Sequence, residues 1–151
     1  MITEKSKAPG FKLKDQDGNE VTLEDFKGKK VVLYFYPKDD TTGCTLEAKG
    51  FRDNYDAFGE KGVTVLGISP DSVQSHKKFA SKYELPFTLL VDEGHKVAEE
   101  YGVWGKKKMY GKEYEGILRT TFLIDEQGKI EKVFPNVKPA DHAAEILNLF
   151  K

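Results

Sequence analysis

The stretch Val31-Val32-Leu33-Tyr34-Phe35-Tyr36-Pro37-Lys38-Asp39-Asp40-Thr41-Thr42-Gly43-Cys44 decides the fold. Its first six residues form a continuous run of apolar, β-branched and aromatic side chains, the pattern of a central strand covered on both faces. Pro37 ends the strand, because proline cannot donate to a sheet ladder. After a short polar loop, Ala48, Phe51, Tyr55 and Phe58 recur at helical spacing and predict a helix over residues 43–58 with these four on its buried face. Cys44 then falls in the first turn of that helix.

Upstream, residues 11–13 and 21–23 predict two short strands around Asp17-Gly18-Asn19, a hairpin signal because Asp-Gly tolerates the positive φ such turns require. Downstream, residues 63–68 predict a second buried strand, followed by a helix capped by Asp71 or Ser72 and broken at Leu85-Pro86. Residues 88–91 predict a third strand, 95–101 a short helix, and 104–115 a charged, glycine-punctuated loop. Two more strands, 117–124 and 129–134, flank the turn Asp125-Glu126-Gln127-Gly128. Pro139 opens a last helix whose apolar face is Ala143, Ile146, Leu147 and Phe150. This order predicts an α/β architecture, a central mixed β-sheet flanked by helices and preceded by an N-terminal β-hairpin, in a single domain over residues 1–151.

Composition excludes several classes of function. The 24 Lys plus Arg against 25 Asp plus Glu leave a net charge of -1, with no electrostatic footprint for nucleic acid or an anionic membrane. Residues 1–10 lack the apolar core of a signal peptide, and the run 31–36 is far too short to span a bilayer, so a soluble cytoplasmic protein is expected. The single cysteine rules out an internal disulfide framework and fits a reducing compartment. His76, His95 and His142 are scattered without zinc-site spacing, so no metal is expected, and His76 reads as the edge of a core face. Asp15, Asp17 and Asn19 are spaced as in a calcium loop, but Gly18 is misplaced and Phe26 stands where the closing Glu belongs. Gly62 and Gly67 have phosphate-loop spacing without the Lys that must follow. Lys106-Lys107-Lys108, beside Met109 and Tyr110, reads as a solvated loop because glutamates follow at once.

A lone cysteine is commonly an inert buried thiol. At a helix start, however, the free N–H groups and the positive end of the dipole favour the thiolate, which is the nucleophile. Pro37, three residues, Thr41, two residues, Cys44 is the peroxiredoxin pattern. Tyr36-Pro37-Lys38-Asp39-Asp40, Gly43-Cys44-Thr45, Glu47-Ala48, Gly67-Ile68-Ser69-Pro70-Asp71 and Arg119-Thr120-Thr121-Phe122-Leu123-Ile124-Asp125 extend the likeness over nearly the whole chain, which resembles the bacterioferritin-comigratory (peroxiredoxin Q) subfamily. That resemblance implies a thioredoxin-like fold and a thiol peroxidase acting on hydrogen peroxide and organic hydroperoxides without a cofactor. It makes Cys44 the peroxidatic cysteine, with Pro37, Thr41 and Arg119 completing the active site. It also implies an external thiol reductant, thioredoxin or glutaredoxin with glutathione, and a monomer or weak homodimer.

Each role has a physical rationale. Attack of sulfur on a peroxide O–O bond puts negative charge on the departing oxygen, and the Thr41 hydroxyl, the backbone N–H groups near Gly43 and Cys44 and the Arg119 guanidinium are suitable donors to it. Pro37 would keep water from the thiolate, while Glu47, one helical turn after Cys44, would orient Arg119 by a bidentate contact. Two positions depart from the subfamily: Thr42 replaces its usual Pro, and Lys49 stands where many members carry a resolving cysteine. The chain therefore resembles a one-cysteine enzyme. A thiol–disulfide oxidoreductase would need Cys-x-x-Cys, and Thr41 occupies the first of those places. The alternative from another class is a non-catalytic redox sensor or binding protein signalling through Cys44 oxidation.

Overall fold

The computed structural model describes residues 2–109 and 111–150. A seven-stranded mixed sheet has the order β2-β1-β5-β4-β3-β8-β9. Its members are β1 (Lys12–Lys14), β2 (Glu20–Thr22), β3 (Lys30–Phe35), β4 (Val63–Ser69), β5 (Thr88–Val91), β8 (Thr120–Ile124) and β9 (Ile130–Phe134). β3 lies at the centre, parallel to β4 and antiparallel to β8. Val32, Tyr34 and Tyr36 enter the core cluster beneath α1 (Thr42–Asp53), α2 (Tyr55–Glu60), α3 (Val73–Lys82) and α5 (His142–Leu147). Val31, Leu33 and Phe35 enter the opposite cluster with α4 (Lys96–Glu100). Both faces being buried, the strand reads as an unbroken apolar run. Tyr34 stacks on Phe51 at 4.6 Å, and it fits only because position 67 is glycine: a Cβ there would lie 2.9 Å from the Tyr34 Cζ and from Leu89.

The N-terminal hairpin forms as expected, with Leu13 opposite Val21. Asp15 closes its turn by accepting from the N–H groups of Asp17 (2.9 Å) and Asn19 (3.0 Å), so the calcium-like spacing serves an Asx turn. Four expectations need correction. The helix over 43–58 is interrupted at Asn54, whose side-chain amide donates to the Gly50 carbonyl at 2.8 Å, and the new axis leaves Tyr55 38 % exposed rather than buried. The supposed loop 104–115 contains an antiparallel hairpin of β6 (Trp104–Met109) and β7 (Lys112–Ile117), closed at Gly111 with φ 77°; Tyr110 lies outside the described residues. It joins no larger sheet, so no apolar alternation marks it. The strand expected over 117–124 divides at Leu118-Arg119, where Leu118 N–H bonds the Val103 carbonyl at 2.7 Å. The last helix begins at His142, since Asp141 adopts a left-handed conformation (φ 61°).

Topology then assembles a site at one end of the sheet. Phe35, the last residue of β3, pairs with Thr120, the first of β8. Arg119 is thereby placed beside the loop that leaves β3 and starts α1. No helix among the described residues is long and apolar enough to cross a membrane.

Candidate active site

Cys44 is 1 % exposed in the first turn of α1. The first intrahelical bond runs from Thr45 N–H to the Thr41 carbonyl at 2.8 Å, so the N–H groups of Thr42, Gly43 and Cys44 precede the helix ladder and point out of its N-terminus. Arg119 bridges two partners. Its Nη2 donates to Cys44 Sγ at 3.4 Å and its Nη1 to Glu47 Oε1 at 2.7 Å. The expected bidentate clamp is therefore replaced by a fork, one tine on the thiol and one on the carboxylate. Glu47 Oε2 is buried and has no hydrogen-bond partner among the described residues, and the same holds for the Tyr34 hydroxyl. Burial pushes Glu47 up to about 7, against the pull of Arg119. Burial also opposes the Arg119 charge, but the Cys44 sulfur and Glu47 outweigh it and raise its pKa.

Gly43 is half-buried because the guanidinium lies across it. A Cβ at that position would meet Arg119 Nη2 at 3.2 Å and Pro139 Cγ at 3.3 Å. Pro139 thus contributes a wall that sequence patterning assigned to a helix start. Thr41 is the N-cap residue of α1, yet its hydroxyl makes no cap bond; it donates to the Lys38 carbonyl at 2.9 Å. Its oxygen is consequently left as an acceptor, where a donor was expected. Pro37 follows β3 and is half-buried. Lys49 points away from the thiol and places Nζ 5.1 Å from the Tyr83 ring centre.

The chain matches the AhpC/TSA family model over residues 5–133. It belongs to the AhpC/TSA family. This peroxiredoxin is 57 % identical over 141 residues to the putative peroxiredoxin Bcp of Coxiella burnetii, covering 93 % of each chain. It is 53 % identical to peroxiredoxin Bcp of Bacillus subtilis, covering 96 % of this chain and 92 % of that one. The structure of a cysteine-to-serine form of Xylella fastidiosa PrxQ superposes with a TM-score of 0.93 at 33 % identity, over 99 % of this chain and 95 % of that one. The bacterioferritin comigratory protein of Xanthomonas campestris, described for its alkyl peroxide reduction activity, superposes at 0.88 with 36 % identity, over 93 % and 89 %. The thioredoxin-like fold and peroxiredoxin family implied by the motif pattern both hold.

Sequence reasoning missed several residues that the fold brings to this peroxiredoxin's site. Lys107 is half-buried on β6, where burial first and then Arg119 lower its pKa, although it read as part of a solvated run. His142 is buried against Thr121, with Nε2 2.9 Å from Thr121 Oγ1, and burial followed by the charge of Arg119 depresses it to about 4. His76 lies wholly inside rather than at a core edge. None of these carries a local signal, because each depends on which elements the sheet juxtaposes.

The two buried titrations oppose one another. Folded Glu47 holds its proton up to about 7 against roughly 4.3 unfolded, so its contribution to stability is present at low pH and is lost as pH rises through that interval. Folded His142 resists protonation down to about 4 against roughly 6.5 unfolded, so its contribution is lost as pH falls. His142→Asn should remove the second effect alone. Relative to the parent chain, the variant should gain about 2 kcal/mol on going from pH 7 to pH 5 in denaturant melts. An unchanged or smaller difference at pH 5 would contradict a buried neutral His142.

Proposed function

We propose that Cys44 reduces hydroperoxides through a sulfenic acid, within a single domain over residues 1–151. The thiolate attacks the hydroxyl oxygen of ROOH; the S–O bond forms as the O–O bond breaks, and the departing alkoxide takes a proton to leave as ROH or water. The observation that carries this reading is the Arg119 Nη2 contact at 3.4 Å from a buried sulfur at a helix start. Arg119 and the N–H groups of Gly43 and Cys44 supply donors for the charge that develops on the peroxide oxygens. Thr41, its own proton committed to Lys38, accepts the peroxide O–H and so aims the attacked oxygen at sulfur. Pro37 shields the thiolate from water, and Glu47 holds the second arm of the guanidinium.

Cys44 is the chain's single cysteine, so its sulfenic acid is resolved by an external thiol, giving a mixed disulfide and water. Thioredoxin, or glutaredoxin with glutathione, in the cytoplasm fits that need, with the chain acting as a monomer or weak homodimer and without nucleic acid or membrane. Hydrogen peroxide and small organic hydroperoxides are the substrates. Peroxide consumption with thioredoxin, glutaredoxin plus glutathione, or dithiothreitol as donor tests the whole cycle; sustained turnover with none of them would sink it. Thr41→Val, which keeps volume but loses the oxygen, should slow sulfenic acid formation about tenfold, the loss of one hydrogen bond. Unchanged kinetics would make Thr41 a turn residue only.

A further inference from the structure

Asp39 lies in the middle of the loop 37–41 that carries Pro37 and Thr41, yet it is 7 % exposed, and His76 on α3 is fully buried. Asp39 Oδ1 accepts from the Tyr36 hydroxyl at 2.6 Å, and Oδ2 accepts from the Ser75 hydroxyl at 2.8 Å. The same Oδ2 lies 2.6 Å from His76 Nδ1, and His76 Nε2 lies 2.7 Å from the Leu90 carbonyl. A carbonyl only accepts, so Nε2 carries a hydrogen. The Nδ1–Oδ2 contact needs a second hydrogen between its two atoms. The pair therefore encloses one proton, whether as imidazolium facing carboxylate or as imidazole facing the acid.

The backbone of the loop is tied down at the same point. Asp39 N–H donates to Asp71 Oδ2 at 2.8 Å, and that oxygen also accepts from the Ser69 hydroxyl at 2.6 Å. Asp40, at φ 57°, is held at the other end of α3 by the Tyr83 hydroxyl (2.6 Å) and Lys82 (2.8 Å). Ligand atoms of Asp39, Asp71 and His76 lie within 4.8 Å of one another, the spacing of a metal set, but both Asp39 oxygens and both ring nitrogens are already occupied by these bonds. An apolar cluster of equal volume would serve stability as well as a buried proton-sharing pair does. Directional bonds confer position instead.

We propose that His76 is a positioning residue for peroxide reduction: by sharing a proton with Asp39 it locks the loop 37–41 beside Cys44 before peroxide arrives. A misplacement of about 1 Å in such a loop is enough to cost on the order of a hundredfold in rate. The proposal rests on the reading of Cys44 as the peroxidatic thiol. It distinguishes the peroxide step, which needs the loop, from the reactivity of the thiol itself, which does not.

Two rates on the same protein separate these: sulfenic acid formation with hydrogen peroxide, and alkylation of Cys44 by iodoacetamide. His76→Leu should lower the first at least tenfold without slowing the second more than threefold, with the circular dichroism spectrum preserved. Asp39→Asn can keep every contact with a neutral imidazole and should retain at least a third of the parent peroxide rate. Ser75→Ala, a milder change that folds even if the leucine variant does not, should lower only the peroxide rate, about threefold. A full peroxide rate in His76→Leu or Ser75→Ala, a parallel fall of both rates, or an Asp39→Asn loss as deep as that of His76→Leu would overturn the proposal. Peroxide reduction by the parent chain no faster than by a free thiol would overturn the reading of Cys44 itself.

Discussion

Replacing Arg119 by methionine is expected to slow sulfenic acid formation at Cys44 by about two to three orders of magnitude, the usual loss when a donor to developing charge is removed from a closed site. The expectation follows from the fork geometry. Nη2 reaches the sulfur at 3.4 Å, so the same arm stands beside the atoms where charge moves, while Nη1 is fixed on Glu47 at 2.7 Å. Methionine preserves the length of the stem but provides no N–H. The fold should survive, because Glu47 is already pushed up to about 7 by burial and, without its counter-charge, will keep its proton at neutral pH. Rapid-quench mass spectrometry of the parent and variant measures the step directly. A variant within threefold of the parent would remove Arg119 from the reaction and leave it a structural ion pair.

The second large effect is a change of product. In the parent chain, one equivalent of peroxide should add one oxygen to Cys44, trappable by dimedone, or yield a disulfide-linked dimer, since no second thiol exists. Lys49→Cys should instead lose two hydrogens by closing an intramolecular disulfide, and it should resist further oxidation under excess peroxide. In an intact helix the two positions are separated by about 140° of rotation and about 7.5 Å of rise, beyond disulfide reach. The bridge therefore requires the first turns of α1 to unwind. Two contacts oppose that motion: Lys49 packs its ammonium over Tyr83 at 5.1 Å, and Arg52 Nη1 donates to the Tyr83 carbonyl at 2.9 Å. The substitution itself removes the first. If intact mass shows only oxygen gain, either the Arg52 contact holds α1 closed or position 49 does not correspond to the resolving site.

The sequence alone was sufficient for the central strand, the hairpin at Asp17-Gly18 and the placement of Cys44 at a helix start, because each is encoded by neighbours within a few residues: a run of apolar side chains, a turn dipeptide, a 3.6-residue stripe. The motif around Cys44 likewise named Thr41 and, through resemblance, Arg119, while helical spacing from Cys44 named Glu47. It did not carry their geometry. That Arg119 divides its guanidinium between thiol and carboxylate follows from the Phe35–Thr120 pairing, which joins residues far apart in the chain. The β6–β7 hairpin was invisible because only its Trp104–Ile117 end meets the core and its consecutive lysines show no alternation. The helix break at Asn54 was hidden because one side-chain bond to Gly50 outweighs a weak propensity. Most of all, the proton enclosed by Asp39 and His76 is a tertiary fact: a loop aspartate and a helix histidine are unremarkable apart, and only burial against Tyr36, Ser75 and the Leu90 carbonyl determines what they must share.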